Sequence, residues 1–273
     1  MVQFASHSHP GRVHDDNEDA IGSDPTRGLW LVADGMGGHA SGEVASAIVR
    51  DTILNAAELP LPDAVVAAHR AVAAAAGAGD ARYRGMGSTV VALELHDGQG
   101  EVVWVGDSRA YLWRRGTIRR LSRDHSYVEL LRESNGMTEA EIRAHPHKNL
   151  VTQTLGHGDP VPSTTLVELR PHDWLILCSD GLSDELSDEE AADLLRHSRA
   201  PDDAVVQLVD AALAKGGRDN VSVVIVCIQE SDLPTPWRRL WHRARAQVWF
   251  PALLGFLAAL VLASLLMLFF RNS

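Results

Sequence analysis

The sequence predicts an α+β fold, with antiparallel sheets carrying helical layers on their outer faces, followed by one C-terminal transmembrane helix. Three observations lead there. Apolar runs of strand length come in groups joined by hairpin-type links, a pattern that disfavours strict βαβ alternation. Helical patterns likewise come in groups between those strands. A 20-residue stretch without charge, Pro251 to Phe270, is long enough for a helix to cross the hydrocarbon core of a bilayer.

In chain order, GLWLVA at 28–33 reads as a strand and is followed by helical patterns over 42–57 and 62–76. The strands STVVALEL (88–95) and EVVWVG (101–106) flank Asp97-Gly98, a hairpin signal. The strand AYLWR (110–114) runs into Arg115-Gly116, a second turn pair. Residues 123–162 are polar with few strand signals and read as an inserted subdomain or flap, with a short helix begun by Thr138 and Glu141. Strands follow at 163–169, 173–178 (DWLILC) and 221–228 (VSVVIVCI). Between the last two lie helices over 187–198, with Ser187 and Glu190 as a capping box, and 202–215, closed by Gly216. The expected organisation is one catalytic-type domain over 1–230, a proline-containing linker and basic juxtamembrane segment over 231–247, and a membrane helix over 248–270.

Arg238, Arg239, Arg243 and Arg245 precede the apolar stretch and only Arg271 follows it, so the positive-inside rule places the large N-terminal domain in the cytoplasm. Trp249 suits the membrane interface. Cys178 and Cys227 lie inside strand patterns and read as reduced, buried thiols. Residues 1–233 carry 20 basic against 36 acidic side chains. That excess disfavours nucleic acid as a partner, because such binding relies on basic surface, and it favours divalent cations.

The acids recur in one local setting. Asp34 follows LWLVA, Asp107 follows VVWVG, Asp180 follows DWLILC-Ser, and Asp219 stands just before VSVVIVCI; Glu18 and Asp19 end an acidic run. Strand ends at one sheet edge converge, so carboxylates distant in sequence can meet there. Crowded carboxylates repel unless a cation compensates, and hard oxygen donors select Mg²⁺ or Mn²⁺ over zinc.

Six motifs then occur in order: Gly11-Arg-Val-His-Asp-Asp-Asn-Glu-Asp19, Asp34-Gly-Met-Gly-Gly-His-Ala-Ser-Gly-Glu43, Gly87-Ser-Thr89, Gly106-Asp-Ser-Arg109, Ser179-Asp-Gly181 and Gly217-Arg-Asp-Asn220. Together they resemble the bacterial branch of the metal-dependent serine/threonine protein phosphatases, the type 2C or PPM family. The resemblance covers about residues 5–228. It implies a four-layer α-β-β-α sandwich of two antiparallel sheets. It also implies hydrolysis of phosphoserine or phosphothreonine on proteins by water activated between two Mn²⁺ or Mg²⁺ ions. Carried over, Asp34 resembles the carboxylate bridging both metals, Gly35 a carbonyl ligand and Glu18 a ligand of the second metal. Asp180 and Asp219 match ligands of the first metal, and Asp107, with Asp180, resembles the site of a third. Asp19 and Asn220 match residues behind the ligands. The partners implied are phosphorylated proteins, including a serine/threonine kinase that the enzyme would oppose.

One position departs from the pattern. The family usually carries a phosphate-gripping arginine four residues before the Glu-Asp pair, where this chain has His14, with Arg12 two residues earlier. Arg12 substitutes, His14 contacts phosphate itself, or the site is impaired; the last would leave a membrane-tethered pseudophosphatase that binds phosphoproteins. His39 is a candidate general acid or a structural residue at a helix start. His145 and His147 read as loop residues, and His7 and His9 as a polar terminus. A dinucleotide loop at Gly35-x-Gly37-x-x-Ala40 is disfavoured, because Asp34 would face the pyrophosphate and no acid ends a second strand about 20 residues on.

Overall fold

A computed structural model describes residues 2–37, 41–138, 141, 145–147 and 150–233. Its elements in chain order are β1 (Gln3–His9), β2 (Asp19–Asp24), β3 (Leu29–Met36), α1 (Ser41–Asn55) and α2 (Leu61–Gly77). There follow β4 (Gly87–Ser88), β5 (Val90–His96), β6 (Gln99–Val105), β7 (Arg109–Arg114), β8 (Thr117–Arg120) and α3 (Tyr127–Asn135). The last group is β9 (Ser163–Glu168), β10 (Trp174–Cys178), the single turn α4 (Asp180–Ser183), α5 (Asp188–His197), α6 (Pro201–Lys215) and β11 (Val221–Cys227).

The strands make two sheets, one ordered β1-β11-β10-β7-β8 and the other β2-β3-β5-β6-β9 with β4 paired to β3. The pairings are antiparallel throughout. Side-chain alternation then builds three apolar layers. In β3, Leu29, Leu31 and Ala33 pack with Val49, Ile53 and Val65 of the helical layer α1–α2. Trp30 and Val32 point the other way, meeting Leu112, Leu175, Leu177, Val224 and Val226 of the opposite sheet. On that sheet's outer face, Ile176, Val223 and Ile225 pack under Leu195, Val205 and Leu208 of α5 and α6. The order is therefore helices, sheet, sheet, helices, as the resemblance implies. Central strands buried on both faces also account for continuous apolar runs such as LWLVA.

Both expected hairpins form. Asp97 and Gly98 take φ +48° and +81° between β5 and β6, and Arg115 and Gly116 take +51° and +79° between β7 and β8, the twist that suits two-residue turns. Ser187 caps α5 through a complete capping box, and Gly216 caps α6. Thr138 and Glu141 exchange the expected capping contacts, Thr138 N donating to Glu141 Oε2 at 2.8 Å. The cysteines are free, Cys178 buried and Cys227 half-buried.

Sequence periodicity misses β1, β2, the two-residue β4, β8, the single turn α4 and α3, the last inside the region read as a flap; β8 is signalled only by the turn pair before it. Among the described residues no helix is long and apolar enough to cross a membrane. The segment expected to do so, 248–270, and the juxtamembrane run from Pro234 lie outside the described residues. Residues 1–233 form one compact unit by their contacts.

Candidate functional site

Antiparallel order brings one end of β2, β3, β6, β10 and β11 to a common pole, and the acids gather there. Asp19, at the start of β2, pairs directly with Asp34 on β3. Asp107 follows β6, Asp180 opens α4 straight after β10, and Asp219 stands two residues before β11. Expectation and structure differ in two details. Asp34 lies within β3, because Gly35 and Met36 continue the strand by pairing with Ser88 and Gly87 of β4. The acids also come from both sheets rather than from one edge, with Asp19, Asp34 and Asp107 on one and Asp180 and Asp219 on the other.

Burial and mutual repulsion dominate the electrostatics. Asp34 is pushed well above the usual carboxylate range, first by burial and then by the charges of Asp19, Asp180, Asp107 and Asp219. Asp180 is raised in the same way, by burial and then Asp107, Asp219, Asp184 and Asp19. Burial lifts Asp107 to about 7, with Asp124 adding to it and Arg109 opposing it. Arg109 itself is held by Asp124, Nη2 donating to Oδ2 at 2.7 Å. Asp19 rises to about 6 through burial, although hydroxyl donors from Ser222 and Ser179 pull it down. Glu18 is raised by burial and lowered by His14.

The framework around the acids is built from hydroxyls and one amide. Ser179 Oγ donates to Asp19 Oδ2 at 2.8 Å and accepts from Ser222 N at 3.0 Å, and Ser222 Oγ lies 2.7 Å from Ser8 Oγ. Thr89 N donates to the Asp34 carbonyl at 2.8 Å, and Thr89 Oγ1 lies 2.7 Å from Ser108 Oγ. Asn220 is a hub: Oδ1 accepts Glu18 N at 2.7 Å, and Nδ2 donates to the Pro10 and Asp16 carbonyls at 2.9 and 3.1 Å. It thereby ties the β1–β2 loop to the turn carrying Asp219. Gly35 N bonds the Glu18 carbonyl at 3.1 Å. At Gly42 a methyl group would overlap Glu18 Oε2, so only glycine leaves that carboxylate its place.

Of the remaining candidates, His14 Nε2 stands 3.8 Å from Asp219 Oδ1 at the exposed lip. Arg12 N donates to the Gly217 carbonyl at 2.7 Å and its side chain lies along Gly217, one loop from the acids. His39 lies outside the described residues. His145 and His147 do cluster, ring centroids 5.8 Å apart and beside Tyr127, in the flap region rather than among the acids. Ser8, Gly42, Ser108, Ser179 and Ser222 received no role from the sequence; only their adjacency to the aspartate motifs, for three of them, offered a signal.

Two observations bear on a cation. The donor set is all hard oxygen, and Asp19 Oδ1 is buried with no hydrogen-bond partner, a costly condition unless something positive faces it. Among the described residues, no three acid, histidine or cysteine side chains converge into a ready-made cage. Oxygen donors of this kind suit Mg²⁺-type ions, which use few carboxylates and keep several waters.

A model of the family described as protein phosphatase 2C matches residues 5–215. The chain belongs to the protein phosphatase 2C family. It is 34% identical over 239 residues to the serine/threonine protein phosphatase PstP of Mycobacterium tuberculosis, covering 85% of this chain and 46% of the relative. The chain thus spans about half the length of that relative. PhpP of Streptococcus pneumoniae is 33% identical over 224 residues, 76% of this chain and 88% of its own. The solved catalytic domain of PstP in complex with two manganese ions superposes with a TM-score of 0.75 at 33% identity, covering 84% of this chain and 99% of that one.

Proposed function

We propose that this 2C-family chain hydrolyses phosphoserine and phosphothreonine on proteins, using two Mn²⁺ or Mg²⁺ ions and room for a third. The observation that carries the reading is the meeting of Asp19, Asp34, Asp107, Asp180 and Asp219 from two sheets, where burial and repulsion hold the carboxyls of Asp19, Asp34, Asp107 and Asp180 above their usual range. Asp34, Asp180, Asp219, Glu18 and the Gly35 carbonyl would hold the pair, and Asp107 with Asp180 the third. Bound there, the ions supply positive charge for the phosphoryl oxygens and acidity for an attacking water.

The chain's own residues do the positioning. Ser179 fixes one oxygen of Asp19 and leaves the other facing the centre. Asn220 and Gly42 set Glu18 from opposite sides. His14, beside Asp219, presents its imidazole at the lip, where a phosphate dianion enters.

The deciding experiment is Mn²⁺-dependent release of phosphate from a phosphothreonine peptide, abolished by EDTA and by Asp180→Asn. Metal-dependent turnover is the expected result. Binding of the phosphopeptide without turnover would instead identify a pseudophosphatase.

The same reading places the chain at the membrane through 248–270, with the catalytic unit in the cytoplasm opposing a serine/threonine kinase. Its support is the uncharged 20-residue stretch and the four arginines before it. Alkaline carbonate extraction of cells expressing the full chain checks it; recovery in the soluble fraction would refute the anchor.

A further inference from the structure

At the pole opposite the acid cluster, one groove has a basic rim. There the end of β7, the start of β10 and the end of β11 lie side by side, with Trp113 paired to Trp174 and Trp174 paired to Cys227. These side chains floor a groove of about 780 Å³, walled by the β7–β8 turn, the loop before β10 and the α5–α6 loop. Its rim carries Arg115, Arg170, His172 and Arg199, one or more from each wall, all exposed. Among the described residues, none of the three guanidinium groups has an ion pair or hydrogen bond. The one acid in the lining, Asp173, is buried and taken by Arg114, Nη2 donating to Oδ2 at 2.6 Å and Nε to Oδ1 at 2.7 Å.

Three unpaired arginines over a tryptophan floor are out of character in a body with 20 basic and 36 acidic side chains. They are fork-shaped donors suited to phosphate oxygens, and the indoles suit a boundary between apolar and polar matter. The chain also leaves the sandwich here. Past β11, Ile228 N bonds the Asp173 carbonyl at 2.8 Å, Gln229 Nε2 reaches Gln3 Oε1 at 3.2 Å, and the described residues end at Leu233. The sequence that follows is the arginine-rich run and the uncharged stretch.

We propose that this groove docks on the phosphate headgroups of anionic lipids, so that the catalytic pole faces away from the bilayer. Strands of this length at ~3.3 Å per residue set the two poles about 20 Å apart. A catalytic centre held at that height reaches soluble and juxtamembrane phosphoproteins without meeting the anionic surface that would repel its acids. The inference rests on the membrane reading above, but it can be tested apart from it.

Residues 1–233 contain all three apolar layers and form one compact unit, so that piece is the reagent. It is sedimented at low salt with vesicles of phosphatidylcholine alone, or of equimolar phosphatidylcholine and phosphatidylglycerol. Binding is expected to the mixed vesicles only and to fade as salt rises. The triple variant Arg115→Ala, Arg170→Ala, Arg199→Ala should lose about 100-fold in partition, roughly fivefold per arginine, while hydrolysing a small phosphate ester like the parent. Equal binding by parent and variant, no binding by the parent, or equal retention of the parent by an acidic peptide resin would overturn the proposal. Carbonate extraction of the full chain reports on the anchor alone, so the two readings fail separately.

Discussion

Asp19→Asn should make the metal-free protein more stable. Asp19 has a folded-state pKa of about 6 against an ordinary 3.8, raised chiefly by burial and also by Asp219 and Glu18. The direction of the linkage follows from that sign. Below about pH 4 the carboxyl is protonated in folded and unfolded chains alike and contributes nothing. As pH rises the unfolded chain releases its proton first, so folding is progressively disfavoured, and the cost is complete above the folded value. A difference of about two units, at ~1.4 kcal/mol each, is about 3 kcal/mol. Asparagine keeps an acceptor for Ser179 and offers its NH₂ where Oδ1 now stands without a partner. In EDTA at pH 8 the variant should melt about 6–12 °C above the parent, and at pH 4 the two should coincide. Manganese at 100 times its Kd stabilises a single-site protein by about 2.7 kcal/mol, and the variant should gain less of that than the parent. An unchanged or lower melting temperature for Asp19→Asn in EDTA at pH 8 would refute the account of crowded, uncompensated carboxylates.

Three further outcomes are expected. Gly42→Ala displaces Glu18 and should raise the Mn²⁺ concentration for half-maximal activity by about 10-fold or more, with little change in the rate at saturating metal; a titration of phosphatase activity checks it. His14→Ala should raise KM for a phosphothreonine peptide while His14→Arg lowers it, and an unchanged KM in both would remove His14 from substrate binding. Asp173→Ala leaves Arg114 without its buried partner and frees Arg170 N, so urea unfolding should show a loss of about 3 kcal/mol.

Legibility in the sequence followed burial. Strands packed on both faces, such as β3 and β11, announced themselves as apolar runs, and turn pairs such as Asp97-Gly98 need conformations that few residues accept. The edge strand β1 (QFASHSH) has one buried residue, Ala5, so it carries almost no periodic signal. β2 was hidden for a related reason: α1 crosses so near that Gly22 faces Arg50 and Leu31 where an apolar side chain would otherwise mark the strand. α3 has an N-cap at Ser126 and Gly136 in the left-handed region, but Glu129 is buried among arginines and breaks the apolar stripe. The acids were readable because one setting, an aspartate beside an apolar run, recurs at Asp34, Asp107, Asp180 and Asp219. The serines that position them were not, since Ser8 and Ser222 meet across 214 residues of chain and Ser179 and Ser222 across 43, through tertiary pairing alone.

The origin of the acids on two different sheets makes the centre a gauge of how those sheets are stacked. The apolar layer of Trp30, Leu177 and Val224 sets their offset, and any sliding along it changes the separation of Asp34 from Asp180. An ion held between them would act as a fastener across the seam. Its loading should therefore slow amide exchange in strands far from any ligand, and substitutions in that remote layer should alter metal affinity before they alter the fold.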